Sequence, residues 1–219
     1  MNIATEPYVQ SVARLPKNGQ HIVAHRQNGF VVVYQAYNKA IAGYAVEHQQ
    51  LGGTHFSYNR MSWIKPNFLW MMYRCGWAGK ENQERVLALW ISEADFEHIL
   101  AEAVPSSYKP GIYATHEDWQ VEMAAKEVRL QWDPDHDPYG QKQNRRAIQL
   151  GLKGRILEQL GRQMVKKIED ITGFVHQQKA LLDAQGLEHL LVPVEEVYTL
   201  TRKELAGQIG VSPFLHNSL

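Results

Sequence analysis

Residues 60–77, which read RMSWIKPNFLWMMYRCGW, place three cations among aromatic side chains. Arg60, Lys65 and Arg74 interrupt the most apolar part of the chain, and a buried cation is costly unless it is paired or faces a ligand. Aromatic rings that stack on a base, together with guanidinium groups that contact phosphate, suit a nucleotide. The side chains predicted to bind one here, together with one from a preceding strand, are Tyr34, Arg60, Trp63, Lys65, Trp70 and Tyr73.

A second chemical block, DPDHDPYG at residues 133–140, follows a strand predicted over residues 128–132. Asp133 and His136 are the candidate catalytic residues, because a carboxylate and an imidazole at a strand end can polarise a hydroxyl or transfer a proton. A calcium loop of the EF-hand type requires Gly and Glu where this chain has Pro138 and Asn144, so no metal is expected. The alternative is a solvated turn rich in aspartate.

Eight cations lie between residues 142 and 167, against the lone acid Glu158. From Arg145 onward, apolar residues recur every three or four positions as far as Ile171, which predicts an amphipathic helix with a basic face, although Gly151, Gly154 and Gly161 are unfavourable to its continuity. Such a face can hold the phosphates of a nucleotide or of nucleic acid, and Arg145 and Arg146 are the predicted phosphate ligands. The alternative is a solvated surface. The chain has no P-loop, Rossmann or nucleophile-elbow motif.

Composition narrows the class of protein. The 219 residues carry 23 Lys and Arg against 23 Asp and Glu, so no net charge draws the chain to nucleic acid or to a membrane. The single Cys75 excludes an internal disulfide. No apolar run reaches the roughly 18 residues of a membrane span, and the first twenty residues lack the apolar block of a signal peptide. A cytoplasmic protein is therefore expected, with no membrane association.

The pattern of elements, in which strands and helices do not alternate regularly to the end, predicts one α+β domain. Asn28 and Gly29 predict a hairpin turn before a strand at residues 30–37, and Asn38 is expected to cap a helix that extends to Glu47. Residues 56–65 are predicted to form a strand and turn, Pro66 favours a short helix over residues 67–74 that ends near Gly76, and the apolar run at residues 85–91 predicts a further strand. Residues 1–20 are predicted to be an N-terminal arm, residues 21–140 the β-rich core, and residues 141–210 a mainly helical part.

Three blocks carry a resemblance to a known family: VYQAYNKAIAGYAV, RMSWIKPNFLWMMYRCGWAGKENQERVLAL and VRLQWDPDHDPYGQKQNRRAIQLGL. They resemble the bacterial and fungal family catalogued as domain of unknown function 4291, over most of residues 8–200, which implies that the three blocks form one site. The order of strand, helix, strand, aromatic helix and strand is also similar to the split β core of the ADP-ribosyltransferase superfamily, which implies a mixed, split β core with flanking helices. That similarity implies NAD as a substrate, with nicotinamide stacked on an aromatic ring and an acid acting on the ribose.

These observations lead to three hypotheses. The first is an NAD-using transferase of ADP-ribosyltransferase-like fold, which binds its nucleotide at residues 60–77 and 129–146. The second is a non-catalytic nucleic-acid-binding module that uses the same aromatic rings for stacking and the basic face at residues 142–167 for the backbone. The third is a structural or partner-binding protein in which the tryptophans form the core, as expected for most large apolar side chains.

Overall fold

The computed structural model describes residues 3–213, which form a mixed α+β fold of strands and flanking helices. In addition to the strands and α-helices, the chain forms a short π-helix at Leu160–Met164 and a 3₁₀-helix at Leu187–His189. The strands are β1 (Thr5–Pro7), β2 (Gly19–Gln20), β3 (Val23–Ala24), β4 (Arg26–Gln27), β5 (Phe30–Tyr37), β6 (Ser62–Ile64), β7 (Arg85–Ser92), β8 (Ala103–Pro105), β9 (Val128–His136), β10 (Lys142–Leu152), β11 (Val165–Asp170), β12 (Leu191–Pro193) and β13 (Glu196–Val197). The helices are α1 (Tyr8–Arg14), α2 (Lys39–His48), α3 (Phe68–Cys75), α4 (Glu93–Ala101), α5 (His116–Ala125), α6 (Gly154–Gln159), α7 (Thr172–Gln185) and α8 (Glu204–Ile209).

Two sheets form the centre of the molecule. One is antiparallel, with the strand order β11-β7-β5-β4, and the other is mixed, with the order β2-β10-β9-β8 and with β6 paired to β10. They meet where the backbones of Tyr34 in β5 and Lys65, just after β6, exchange two hydrogen bonds of 2.7 and 3.0 Å. The predicted single α+β domain with a mixed, split β core is confirmed.

The strands β5 and β7 are buried on both faces, which explains their nearly continuous apolar sequences. Successive side chains of a strand point to opposite faces, so Val31 and Val33 pack in the core that the two sheets share. Val32 and Tyr34 face the other way, into a second core closed by α3 and α7. The antiparallel sheet therefore fixes α3 on one side and the mixed sheet on the other.

Local signals set the ends of several elements as predicted. The hairpin between β4 and β5 turns at Asn28 and Gly29, which have φ angles of 54° and 77°. Asn67 caps α3 by accepting a hydrogen bond from the Trp70 amide at 2.7 Å, and Gly76 ends the helix in a left-handed conformation. The aromatic helix is thus confirmed, with both ends one residue later than the predicted span of 67–74.

The long amphipathic helix predicted from Arg145 to Ile171 is wrong. Residues 142–152 form β10, which pairs along β9, and the chain then passes through α6 and the π-helix into β11. The apolar spacing misled because β10 is buried on both faces from Ala147 to Leu152, so its apolar residues fit a helical period as well. The N-terminal arm also contains β1 and α1, and the expected strand before Pro66 is reduced to β6.

Candidate functional site

A cleft of about 690 Å³ opens between the two sheets beside α3. Its walls come from β5, from the segment that ends in β6, and from the last turn of α3, while the central part of the mixed sheet contributes two glutamines. This volume lies in the range of small-molecule sites, roughly 300 to 1,000 Å³. The polar, charged and aromatic residues that line the cleft include Gln35, Arg60, Trp63, Lys65, Arg74, Gln131 and Gln149.

Lys65 is the unusual residue of the cleft, because its side chain is only 4% exposed. Its Nζ donates a hydrogen bond of 2.9 Å to the carbonyl oxygen of Trp63. No aspartate or glutamate among residues 3–213 forms an ion pair with it. Burial, and next the nearby positive charge of Arg74, lower the pKa of Lys65 from 10.5 to about 7. A large fraction of this amine is therefore uncharged near neutral pH.

Trp63 lies against the floor of the cleft because β10 carries a glycine opposite it. Gly151 pairs with Trp63 across β6 and β10, and a Cβ atom on Gly151 would lie 2.9 Å from Cε2 of Trp63 and 2.6 Å from Sδ of Met61. No side chain larger than hydrogen fits there without displacing both neighbours. Gly151, which was unfavourable to the predicted helix, is thus the residue that makes room for Trp63 in the cleft.

A polar network covers the floor where the mixed sheet enters the cleft. Nε2 of Gln149 donates hydrogen bonds to Oε1 of Gln131 at 3.0 Å and to Oδ2 of Asp133 at 2.7 Å. These three residues share one face, because Gln149 is directly opposite Gln131 in the ladder and Asp133 is two residues further along β9. Asp133 itself lines a neighbouring groove, so its carboxylate reaches the cleft through Gln149.

The opposite wall carries a second buried network. Nε2 of Gln35 donates to Oγ of Ser62 at 2.8 Å, and the hydroxyl groups of Tyr37 and Ser62 share a hydrogen bond of 2.8 Å. Burial raises the pKa of Tyr37 to about 12, so its hydroxyl stays protonated at neutral pH. Two exposed arginines, Arg60 and Arg74, complete the lining and give the cleft its positive charge.

Five of the predicted ligand-binding residues lie away from the cleft: four lie in the second core, on α3 or in a neighbouring groove, and the fifth, Arg145, lies in a second cavity. Tyr34 is fully buried in the second core, where its ring packs edge to face on Phe68 at 5.6 Å. Trp70 and Tyr73 lie on the neighbouring face of α3. Each comes one position before a cleft-lining residue, Met71 or Arg74, and one position along a helix corresponds to a rotation of about 100°. The fourth, Arg146, lines the groove that Asp133 lines and donates to the carbonyl oxygen of Trp132.

His136 and Arg145 meet in a second cavity of about 290 Å³ behind α3. The His136 ring stacks on Tyr73 with a centroid distance of 3.5 Å, and burial lowers the pKa of His136 below its ordinary value. Arg145 is held by Asp135, through a 2.9 Å hydrogen bond from Nε and a second short contact, and by the carbonyl oxygen of Pro16 at 2.8 Å. The candidate acid and imidazole of the 133–140 block therefore point to different cavities.

Sequence reasoning did not identify Glu195, which is only 5% exposed in this second cavity. Its carboxylate oxygens accept hydrogen bonds from the Phe68 amide at 2.8 Å and from Nδ2 of Asn67 at 3.0 Å. Burial holds the pKa of Glu195 well above its ordinary value. No local motif marks this residue, because its partners lie more than 120 positions away along the chain.

The eight cations of residues 142–167 do not form one helical face. Arg145 is buried in its pair with Asp135, Lys142 and Arg146 are exposed on β10, and Arg162 pairs with Glu158 outside that strand. The remaining members of the set, distributed over α6, β11 and the turns around them, are Lys153, Arg155, Lys166 and Lys167. Residues 142–167 therefore do not form the continuous basic helical face that was expected to bind a nucleic-acid backbone.

Among the residues that the structure describes, there is neither a cluster of metal ligands nor a membrane-spanning helix. Residues 3–213 contain no group of three or more His, Cys, Asp or Glu side chains placed to hold a metal ion. No helix within the same range has both the length and the apolar composition needed to cross a membrane.

Fold and site together define a single-domain α+β protein with a cationic, aromatic cleft between two sheets. The profile of the family described as Domain of unknown function (DUF4291) matches residues 21–198. The chain therefore belongs to this family, which confirms the resemblance seen in the three sequence blocks. A comparison with curated proteins finds no match.

Proposed function

We propose that this protein is an NAD-using transferase of the ADP-ribosyl type, with the dinucleotide bound in the cleft between the two sheets. The observation that carries the proposal is the convergence of Arg60, Trp63 and Lys65 on that cleft, with Asp133 one hydrogen bond away behind Gln149. Packing alone does not require cations and an aromatic ring to share one opening.

Each group has a part in binding. Trp63 offers a ring face on which a base or nicotinamide can stack, and such contacts stabilise binding by about 1–3 kcal/mol per base. Arg60 and Arg74 are charged at every physiological pH and can contact the pyrophosphate through paired N–H groups. Gln131 and Gln149 present amide groups that can hydrogen-bond the ribose hydroxyls.

In the chemical step, positive charge develops on the ribose at a position where the cleft can stabilise it. When the bond between ribose and nicotinamide breaks, positive charge develops on the ribose, and a fixed negative charge nearby lowers the energy of that transition state. Asp133 is the carboxylate of the 133–140 block that reaches the cleft, and it acts through Gln149, whose amide it orients. His136 faces the second cavity and has no part in this step.

The experiment is a measurement of nicotinamide release from NAD by the purified protein, with and without candidate acceptors. Asp133→Asn keeps the shape of the side chain and removes its charge, so release should fall by roughly tenfold to a hundredfold with little change in folding. Asp183→Asn is the matched control, because Asp183 lies exposed on α7 in a pair with Lys179. An inactive wild-type protein, or an Asp133→Asn variant as active as wild type, overturns the proposal.

A further inference from the structure

The cleft contains a titratable group, Lys65, whose role is not explained by nucleotide binding alone. The Lys65 amine sits in its wall, and the backbone that carries it is fixed by the two hydrogen bonds to Tyr34 of β5. A lysine that only holds phosphate is most effective when it is charged and exposed, as Arg60 and Arg74 are at the same opening. Lys65 is buried and only partly charged near neutral pH, so electrostatic attraction is a poor account of its position.

The groups around Lys65 favour a neutral amine. Arg74 and Cys75 approach from α3, and the first of these opposes a second positive charge. The Cys75 thiol is itself kept neutral, because burial raises its pKa. Cys75 and, less strongly, Asp133 on β9 act in the opposite sense, but they favour the charged form of Lys65 less than burial and Arg74 oppose it. The Tyr34 phenol, on β5, stays protonated because burial raises its pKa.

We infer that Lys65 is the general base of the cleft, and that the acceptor of the transferred group is therefore a hydroxyl or an amine, water included. This inference rests on the proposed function and names the acceptor class for it. An amine that is partly neutral near pH 7 can take a proton and then return it to solvent, and a base matched to the working pH is the most effective.

The step balances without any further reactant. The acceptor oxygen or nitrogen forms a bond to the ribosyl carbon, and the bond from that carbon to the nicotinamide nitrogen breaks. Its electron pair leaves with nicotinamide. The acceptor proton moves to Nζ of Lys65, which becomes an ammonium group and then releases the proton to water. A carboxylate acceptor carries no such proton and has no need of the base.

Among the other titratable groups that line the cleft, the exposed imidazole of His55 is the alternative base, and the rest cannot replace Lys65 in this role. Arginine is not deprotonated in proteins, which excludes Arg60 and Arg74. Tyr37 stays protonated because its pKa is about 12. The carboxylate of Asp133 already accepts the Gln149 hydrogen bond and lies behind it. His136 lines the cavity on the other side of α3.

The test compares Lys65→Met, Lys65→Arg and Lys65→Ala with wild type in nicotinamide release between pH 5.5 and 9, with water, methanol or acetate as acceptor. For water and methanol, the wild-type kcat should rise with a midpoint near pH 7, the pKa of Lys65. Lys65→Met and Lys65→Arg should lower kcat by roughly a hundredfold to ten-thousandfold, with a much smaller change in KM. Added ethylamine should restore part of the activity of Lys65→Ala. Lys179→Met, on the surface of α7, is the control.

Each outcome bears on one proposal or on both. If wild type releases nicotinamide but Lys65→Met keeps both its rate and its pH midpoint, the general base is another group and only this inference falls. Acetate as the preferred acceptor, or no rescue of Lys65→Ala by ethylamine, also overturns it. If wild type releases no nicotinamide with any acceptor, the proposed function and the acceptor class fall together.

Discussion

Replacing Lys65 by methionine should stabilise the protein, although it removes a hydrogen bond. Methionine is close to lysine in length and has no charge, so it can fill the same space in the wall of the cleft. The wild-type side chain is 4% exposed and has no acidic ion-pair partner among residues 3–213, so its charged form is disfavoured in the folded state. In the unfolded chain, the same amine is solvated and charged.

The size of the effect follows from the pKa of Lys65, which burial lowers from 10.5 to about 7. A difference of one in pKa corresponds to about 1.4 kcal/mol, so keeping this lysine in the folded protein costs on the order of 4 kcal/mol at pH 7. The lost hydrogen bond to the Trp63 carbonyl offsets about 1 kcal/mol of the gain. Relaxation of the cleft reduces it further, so we expect Lys65→Met to gain roughly 2–3 kcal/mol at pH 7.

The dependence on pH has a definite sign. Between pH 7 and 10.5, the unfolded chain binds more protons at this residue than the folded protein does, so wild-type stability rises with pH across that window. Below pH 7, both states are protonated and the full cost remains. The advantage of Lys65→Met should therefore be largest at pH 6 and should shrink toward pH 10.

Urea unfolding of both proteins at pH 6, 7, 8.5 and 10 measures the difference, with Lys179→Met as the surface control that shows no such trend. A Lys65→Met variant that is less stable than wild type at pH 6, with a constant difference up to pH 10, would refute the reasoning, because Lys65 would then be charged in the folded state. A gain in stability together with a loss of turnover fits a residue kept for function at the expense of stability.

Two further predictions test the walls of the two cavities. Gly151→Ala should cost about 1–3 kcal/mol and displace Trp63, because the new methyl group overlaps its ring; tryptophan fluorescence and urea unfolding report the two effects. Asp135→Asn should cost about 3–5 kcal/mol, because it leaves the buried charge of Arg145 uncompensated, whereas Asp183→Asn on the surface should cost less than about 1 kcal/mol. Wild-type fluorescence and stability in the first variant, or equal losses in the two aspartate variants, would contradict these expectations.

Short stretches of sequence were sufficient to predict the conformation wherever contacts between neighbouring residues decide it. The Asn28-Gly29 hairpin and the capped ends of α3 depend on neighbours within a few residues, and the structure confirms them. The strand runs of β5 and β7 were also evident, because burial on both faces leaves them almost no polar position.

The conformation of residues 145–152 was decided by tertiary pairing. Their apolar spacing fits a helix and a doubly buried strand equally, and β9 and β6 settle the choice by pairing on the two edges of β10. Gly151 could be seen in the sequence only as a residue unfavourable to a helix, whereas in the fold it makes room for Trp63. Local propensity cannot distinguish these cases, because the deciding contacts come from distant segments.

The residues of the site were likewise predictable from the sequence only in part. The residue types of the 60–77 block indicated a cationic, aromatic opening, and Arg60, Trp63 and Lys65 do share one. The sequence could not assign neighbouring residues of α3 to different cavities, nor reveal Glu195 beside the start of that helix. It also could not show that Lys65 is largely buried, because the pKa of a lysine depends on how much water and charge surround it in three dimensions. Residue types determine which chemistry is available, and packing decides which groups meet and in which protonation state.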